Sequence, residues 1–329
     1  MPVLPGRDPA AVREAAARLA AGELVAFATE TVYGLGARAD DDAAVGAIYS
    51  AKGRPAGHPL IVHVADAAAA AHFAAELSPA AQRLMAAFWP GPLTVIVPRR
   101  PGVAAAAAGG QSSVGLRLPA HPVALALLRE AAALGVPGVA APSANRFGRV
   151  SPTRASHVVD EFGPALAVLD GGDCDVGIES TIIDCTRAQA ALLRPGQLGR
   201  ARIEAVLGAP LAAPDAASPR ASGTLASHYA PAAPVRLFEP GQPPWADPAA
   251  WQALARQGRG LGVYSRAVPP TEAACLHRPM PAQAAAVAHE LFAVLREFDT
   301  AGVAAIWVER PPPGPAWDGV RDRLQRAAA

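Results

Sequence analysis

Lys52 is the only lysine in a chain of 329 residues, and every other fixed cation is an arginine. A solvated positive charge is indifferent to its carrier. One retained lysine therefore points to a position that needs a compact ammonium rather than a planar fork. Thr31, Arg54, His63, Arg117, Ser143, Asn145, Ser180 and Arg194 join it as polar residues at expected strand ends and turns. This set is dispersed and lacks a nucleophile with its base. There is no Gly-x-Ser-x-Gly elbow, no His-Glu-x-x-His and no Walker Gly-x-x-x-x-Gly-Lys-[Ser/Thr]. Cations interleaved with hydroxyl and amide donors suit a polyphosphate and a carboxylate, so the chemistry implied is positioning and charge neutralisation. Singly, each residue also has an ordinary structural reading. A lysine at a helix C-terminus gains about 0.3–1 kcal/mol from the dipole, a strand arginine can face solvent, and Ser143 and Asn145 can stabilise a turn. Asp173, Asp175 and Glu179 read as loop solvation rather than metal ligands. If Lys52 does the work proposed for it, Lys52→Arg should slow turnover and leave folding little affected.

The elements that must position these residues follow from the pattern around them. Residues 23–28 are a near-continuous apolar run, a buried strand. The polar, glycine-punctuated stretch 29–36 follows as a turn. Asp40-Asp-Asp42 caps a helix running to about residue 51, on which Val45, Ile48, Tyr49 and Lys52 share one face. Gly53 ends it, and 59–64 is the next strand, with His63 opposite in direction to Val62 and Val64. Upstream, 9–21 is an amphipathic helix. Downstream, Ser78-Pro79 starts a helix through 88, 93–97 is a strand, and 101–110 is an alanine-rich, mobile loop. In the strand 113–118, Ser113, Gly115 and Arg117 share a face. A helix at 121–134 and a short strand at 136–141 lead into Pro142-Ser-Ala-Asn145; Ser151-Pro-Thr153 caps a helix to about 162, and 166–170 is a strand. Residues 178–184 and 190–194 form a strand pair, followed by a helix to 207.

The composition then shifts to Ala, Pro and Ser over 209–234, which is linker chemistry, interrupted by a polar island at 222–231 containing His228 and Tyr229. Strands at 235–238, 261–265 and 303–308 alternate with helices at 247–257 and 283–298, the pattern of a small parallel α/β domain. It carries no dinucleotide fingerprint. The expected division is 1–208, a linker or lid at 209–234, and 235–329. No apolar run reaches the ~18–20 residues of a membrane span, and the N-terminus lacks a secretory pattern. Cys174, Cys185 and Cys275 have no metal spacing and leave one over, which suits a reducing cytoplasm. A net charge of +1 argues against a broad nucleic-acid surface.

Taken in order, Thr29-Glu-Thr-Val-Tyr-Gly-Leu-Gly36, Lys52-Gly-Arg-Pro55, Phe88-Trp-Pro-Gly-Pro-Leu-Thr94, Val114-Gly-Leu-Arg117, Ala141-Pro-Ser-Ala-Asn145, Glu179-Ser-Thr181 and Leu193-Arg-Pro-Gly196 resemble the YrdC-like threonylcarbamoyl-adenylate synthases over about residues 8–208. His228-Tyr-Ala-Pro231 and the trailing segment resemble the longer, two-domain form. The resemblance implies an α/β fold: an open, twisted mixed sheet with a concave active-site face, plus a small C-terminal parallel α/β domain. It implies a nucleotidyltransferase that converts L-threonine, bicarbonate or carbon dioxide, and ATP to threonylcarbamoyl-AMP and pyrophosphate. Other proteins then transfer the group to the adenosine beside the tRNA anticodon. Thr31, His63, Arg117, Ala141 and Ser180 would hold threonine. Lys52, Arg54, His58, Ser113, Ser143, Asn145, Ser151, Arg194 and Tyr229 would line the ATP side, with Lys52 and Arg54 catalytic, and the island carrying Tyr229 would fold back over the site. Magnesium would come with the triphosphate, with no protein metal ligand, no membrane and at most weak RNA contact. Ala28, His58 and the Arg146-Phe147 pair depart from the family pattern. The rivals are a noncatalytic RNA-binding protein of the same fold and a carbamoyl-phosphate-using enzyme that makes a carbamoyl adenylate.

Overall fold

The computed structural model describes residues 3–247, 249, 260–269 and 275–329. They form two compact units, residues 1–147 with 151–224 and residues 148–150 with 225–329. The segment 209–224 therefore packs with the first unit and 225–234 with the second.

The first unit is built from β1 (Val3–Pro5), α1 (Pro9–Ala20), β2 (Val25–Phe27), β3 (Gly34–Arg38), α2 (Asp42–Lys52), β4 (Ile61–His63), α3 (Ala70–Phe73), α4 (Pro79–Phe88), β5 (Leu93–Pro98), β6 (Ser113–Arg117), α5 (Pro122–Ala133), β7 (Val139–Ala140), α6 (Ala155–Phe162), β8 (Ala167–Asp170), β9 (Thr181–Asp184), β10 (Ala191–Arg194) and α7 (Arg200–Leu207). Ten strands form one mixed sheet in the order β1-β8-β2-β3-β7-β4-β6-β5-β9-β10. Local chemistry sets the helix starts. Asp8 accepts from the Ala10 N–H ahead of α1, Asp41 from those of Ala43 and Ala44 ahead of α2, and Ser78 from that of Ala81 ahead of α4. Gly53 closes α2 at φ 62°, a left-handed conformation that an L side chain resists. The α2 face carrying Val45, Ile48, Tyr49 and Lys52 is buried, as the spacing predicts. Alternation along the central strands puts Val62, Leu116, Val95 and Ile183 into the main core and leaves the opposite face to the site.

Three expectations change. The alanine-rich loop at 101–110 is not loose. Ala104, Ala107 and Ala108 are buried, the Leu60 N–H donates to the Ala107 carbonyl (2.7 Å), and the Tyr49 hydroxyl donates to that of Ala106 (2.9 Å). Alanine is small enough to let that backbone lie against α2. Ser151 and Thr153 do not cap α6, whose N-cap is Arg154 without a side-chain bond; both are buried instead. β9 begins only at Thr181, because Glu179 and Ser180 turn into the site. β1 and β3 were not expected from the sequence.

The second unit holds β11 (Val235–Phe238), β12 (Leu261–Ser265), β13 (Cys275–Pro279), α8 (Ala284–Thr300), β14 (Ala305–Glu309) and α9 (Asp318–Ala327). The sheet order is β11-β14-β12-β13, parallel throughout. α8 buries Val287, Leu291, Phe292, Leu295 and Phe298. Gly262 makes room for the last, since a Cβ there would meet the Phe298 ring at 2.8 Å. β13 and α9 were not anticipated, and the helix expected at 247–257 lies, but for residues 247 and 249, outside the described residues. No described helix is long and apolar enough to cross a membrane.

Candidate active site

Strand direction gathers the site. β4 and β6 run parallel with His63 beside Arg117, β5 runs against β6, β9 runs with β5, and β10 runs against β9. The last residues of β4, β6 and β10 and the first of β5 and β9 consequently share one end of the sheet. His63, Arg117, Arg194, Thr94 and Ser180 all fall there, although they are far apart in sequence.

The first cluster centres on Arg117. Its Nη1 donates to the Thr31 hydroxyl (2.9 Å) and its Nε to the Gly91 carbonyl (3.3 Å). Its Nη2 lies 2.7 Å from Glu30 Oε1. That last contact is an ion pair and not an aligned hydrogen bond, for Nη2 and both Glu30 oxygens lack a hydrogen-bond partner among the described residues. His63 Nδ1 lacks one too. Glu30, Thr31, His63 and Arg117 are all buried. Burial, and then the charge of Arg117, push the His63 imidazole down to about 3, so the ring is neutral at pH 7. Buried polar atoms are normally paired, and leaving one unmade costs about 1–3 kcal/mol. Three of these atoms meet where Glu30 faces Arg117, and His63 pairs with Arg117 across β4 and β6; able to give and to accept, they fit a ligand carrying both charges.

The second cluster holds the cations. Lys52 Nζ donates to the carbonyls of Ser143 (2.6 Å) and Asn145, and burial, then Arg54, hold its pKa well below the ordinary lysine value. Arg54 donates to the Pro59 carbonyl (2.9 Å), approaches Ser222 Oγ (3.4 Å) and sits 5.6 Å from the centre of the Phe147 ring. Arg194 donates twice to the Ser180 carbonyl (2.9 and 3.1 Å), to Ser180 Oγ (3.1 Å) and to the Ser222 carbonyl (2.9 Å). Thr94 Oγ1 lies 2.8 Å from Ser180 Oγ, and the Ser151 hydroxyl donates to Glu179. Beside the second cluster Ile61, Thr94, Ser113, Ile182, Arg220 and Ser222 line a small pocket of about 10 Å³, room for about one water. Residues 220–222 are held over it by a reciprocal pair, the Arg220 N–H donating to Gln111 Oε1 (2.8 Å) and the Gln111 amide to the Arg220 carbonyl (3.1 Å). Ala221 adds an apolar contact, packing against the cluster of Ile96, Ile182 and Leu193.

Residues 17–196 match the family described as telomere recombination (Sua5, YciO, YrdC), and 198–329 match that described as threonylcarbamoyl-AMP synthase, C-terminal domain. The chain is 39% identical to threonylcarbamoyl-AMP synthase of Bacillus subtilis (strain 168) over 96% of its own length and 92% of the relative's. It is 44% identical to that of Pyrococcus abyssi over 69% and 68%. A crystal structure of P. abyssi Sua5 complexed with L-threonine superposes with a TM-score of 0.87 at 36% identity, covering 98% of this chain and 95% of that one. The chain belongs to the Sua5/YrdC family of threonylcarbamoyl-AMP synthases.

Within this synthase family member, Thr31, His63, Arg117 and Ser180 stand at one end of the sheet. Ala141 contributes its backbone, with its N–H donating to the Ile61 carbonyl (2.9 Å). Ser143 and Asn145 present carbonyls to Lys52, and Ser113 faces the cavity. The His58 ring meets Phe147 edge-on at 5.4 Å, so two of the departures from the family pattern pack on each other. Burial and neighbouring Arg54 lower the His58 pKa. Tyr229 belongs to the second unit, where its ring stacks on Phe292 (5.5 Å) with Arg323 over it at 5.2 Å. Sequence reasoning passed over Glu30, Thr94 and Ser222.

His63 supplies a test of the first cluster. Its folded pKa of about 3 lies below the unfolded value of about 6.5. The unfolded chain therefore binds the extra proton in that window, and stability present above pH ~6.5 is lost as pH falls, by up to about 1.4 kcal/mol per unit from this group. The His63 ring signals in an NMR titration should not move between about pH 7.5 and 4.5, and His63→Gln should flatten the acid limb of the stability curve. A ring titrating near 6.5 would show that it is neither desolvated nor facing Arg117.

Proposed function

We propose that this chain condenses L-threonine, bicarbonate and ATP to threonylcarbamoyl-AMP and pyrophosphate, the activated group being passed on for tRNA modification by other proteins. The observation that carries the reading is the set of buried atoms on Glu30, His63 and Arg117 without a hydrogen-bond partner among the described residues. A carboxylate and a neutral imidazole can accept from an ammonium while a guanidinium donates to a carboxylate, which is the complement of a free amino acid. Thr31 and Ser180 offer hydroxyl partners for a side-chain hydroxyl. The crystallised P. abyssi relative was complexed with L-threonine, which supports the same substrate here. Lys52, Arg54 and Arg194, the cations of the second cluster, suit the triphosphate. The reacting carbamate oxygen needs in-line placement at the α-phosphate and neutralisation of developing charge, not a protein nucleophile.

Magnesium fits as an ion carried on the nucleotide. Among the described residues no three of His, Cys, Asp or Glu gather to hold a metal, and magnesium commonly relies on substrate phosphates. We further read residues 222–224, the part of the polar island that packs with the first unit, as a cover that excludes water from the mixed anhydride, with Ser222 tied to Arg54 and Arg194. Pyrophosphate release with ATP, magnesium and bicarbonate should require L-threonine, proceed poorly with serine and fail with valine. A site built to bond a hydroxyl rejects an analogue lacking it. Equal turnover of valine would overturn the assignment.

A further inference from the structure

We propose that Glu30 is the catalytic proton acceptor for the substrate's α-ammonium. This rests on the threonine reading above and adds a residue and a step to it. Glu30 is buried in the turn immediately before Thr31, and its backbone is fixed by the Val176 N–H donating to its carbonyl (2.7 Å). Neither carboxylate oxygen has a hydrogen-bond partner among the described residues, and the one charged group against it, Arg117, approaches at 2.7 Å with its N–H misdirected. A buried salt bridge kept only for structure would be expected to align and to satisfy its remaining lone pairs. This one leaves both oxygens able to accept. The same guanidinium fastens Thr31 through Nη1 (2.9 Å), so an amino-acid carboxylate anchored on Arg117 brings its α-ammonium within reach of the Glu30 carboxylate beside it.

The chemistry needs such a group. An α-ammonium has no lone pair, titrates well above neutrality in water, and must lose a proton before its nitrogen can attack carbon. In balanced form, R–NH3+, HCO3− and the Glu30 carboxylate give R–NH–COO−, water and the Glu30 carboxylic acid. The N–C bond forms, one C–O bond of bicarbonate breaks, and its oxygen leaves as water with one ammonium proton and the bicarbonate proton. The remaining ammonium proton rests on Glu30. The other titratable groups near Glu30 are His121 at the start of α5 and Cys174 from the loop after β8, with Asp173 and Asp175 close to Cys174. Burial holds the His121 pKa down and the Cys174 thiol up. Arg117 is thus the fixed positive charge facing the carboxylate.

The test is the full-length chain with ATP, magnesium, bicarbonate and L-threonine, following pyrophosphate. Glu30→Gln keeps the shape and removes the base, and kcat at pH ~7 should fall by at least about 100-fold. The loss should shrink about tenfold per unit as pH rises toward ~9, because solvent then supplies free amine. Glu30→Asp retains a carboxylate, so its pH profile should level off as wild type does, at a lower rate. A Gln variant within about threefold of wild type, or one with a loss independent of pH and shared by Asp, would show that Glu30 only positions Arg117. Those results leave the function standing. Wild type with no threonine-dependent release overturns the reading beneath it instead.

Discussion

Lys52→Met is expected to lower kcat/KM for ATP by about 10³-fold, near the upper end of what removing one buried donor at a charged transition state costs. The ammonium is 2% exposed and gives two of its hydrogens to the carbonyls of Ser143 and Asn145. Its third has no acceptor among the described residues. It therefore ties the end of α2 to the Ser-x-Asn turn and keeps one donor for an anionic oxygen. Burial, then Arg54, depress its pKa, and an arriving phosphate would reverse that by favouring the charged form. Methionine matches the stem but leaves two carbonyls unpaired, at about 1–3 kcal/mol of stability. Lys52→Arg should also fail, by at least tenfold. Here the structure corrects the sequence expectation of an undisturbed fold: a guanidinium must overpack an enclosed site, at about 1–3 kcal/mol. Pyrophosphate release and thermal unfolding of both variants check this. If Lys52→Arg turns over like wild type, Lys52 is only a helix-end charge.

The lone lysine was legible because composition bias made it conspicuous and helical spacing placed it inward. His63, Arg117, Ser180 and Arg194 were legible as polar residues ending apolar runs, and the motif order assigned them together. Their convergence was not, since it depends on β5 reversing between β6 and β9, a long-range pairing that local pattern does not encode. The same limit hid β3: Gly34-Leu-Gly36 reads as turn chemistry, yet Gly36 is in the sheet because a Cβ would meet the Phe27 ring at 2.9 Å and Val139 Cγ1 at 2.9 Å. Ser151 was read as a cap from its spacing to Pro152, whereas its hydroxyl serves Glu179, 28 residues on. Glu30 escaped because a glutamate between two threonines in a turn reads as solvated, and only tertiary burial shows otherwise. In the second unit, β13 has no buried residue to mark it.

Arg194→Met is expected to cost about 100-fold in kcat/KM and about 1–3 kcal/mol of stability, through the carbonyls it leaves unpaired. One guanidinium, 2% exposed, holds three things at once. It fixes the end of β10, pins the Ser180 backbone and hydroxyl, and donates to the Ser222 carbonyl of the returning segment. The chain around it has no slack: a Cβ on Gly196 would stand 2.6 Å from the Thr181 nitrogen and 2.8 Å from the Glu179 carbonyl. Arg194→Lys keeps the charge but cannot fork between residues 180 and 222, so it should recover less than a tenth of wild-type activity. Ser222→Ala removes only the 3.4 Å contact to Arg54, leaves the carbonyl in place, and should cost less than about threefold. The pair of variants separates two roles: Arg194 holds the Ser180 turn and residue 222 together, and the Ser222 hydroxyl adds little. Should Arg194→Lys act like wild type, the fork between residues 180 and 222 does not shape the site.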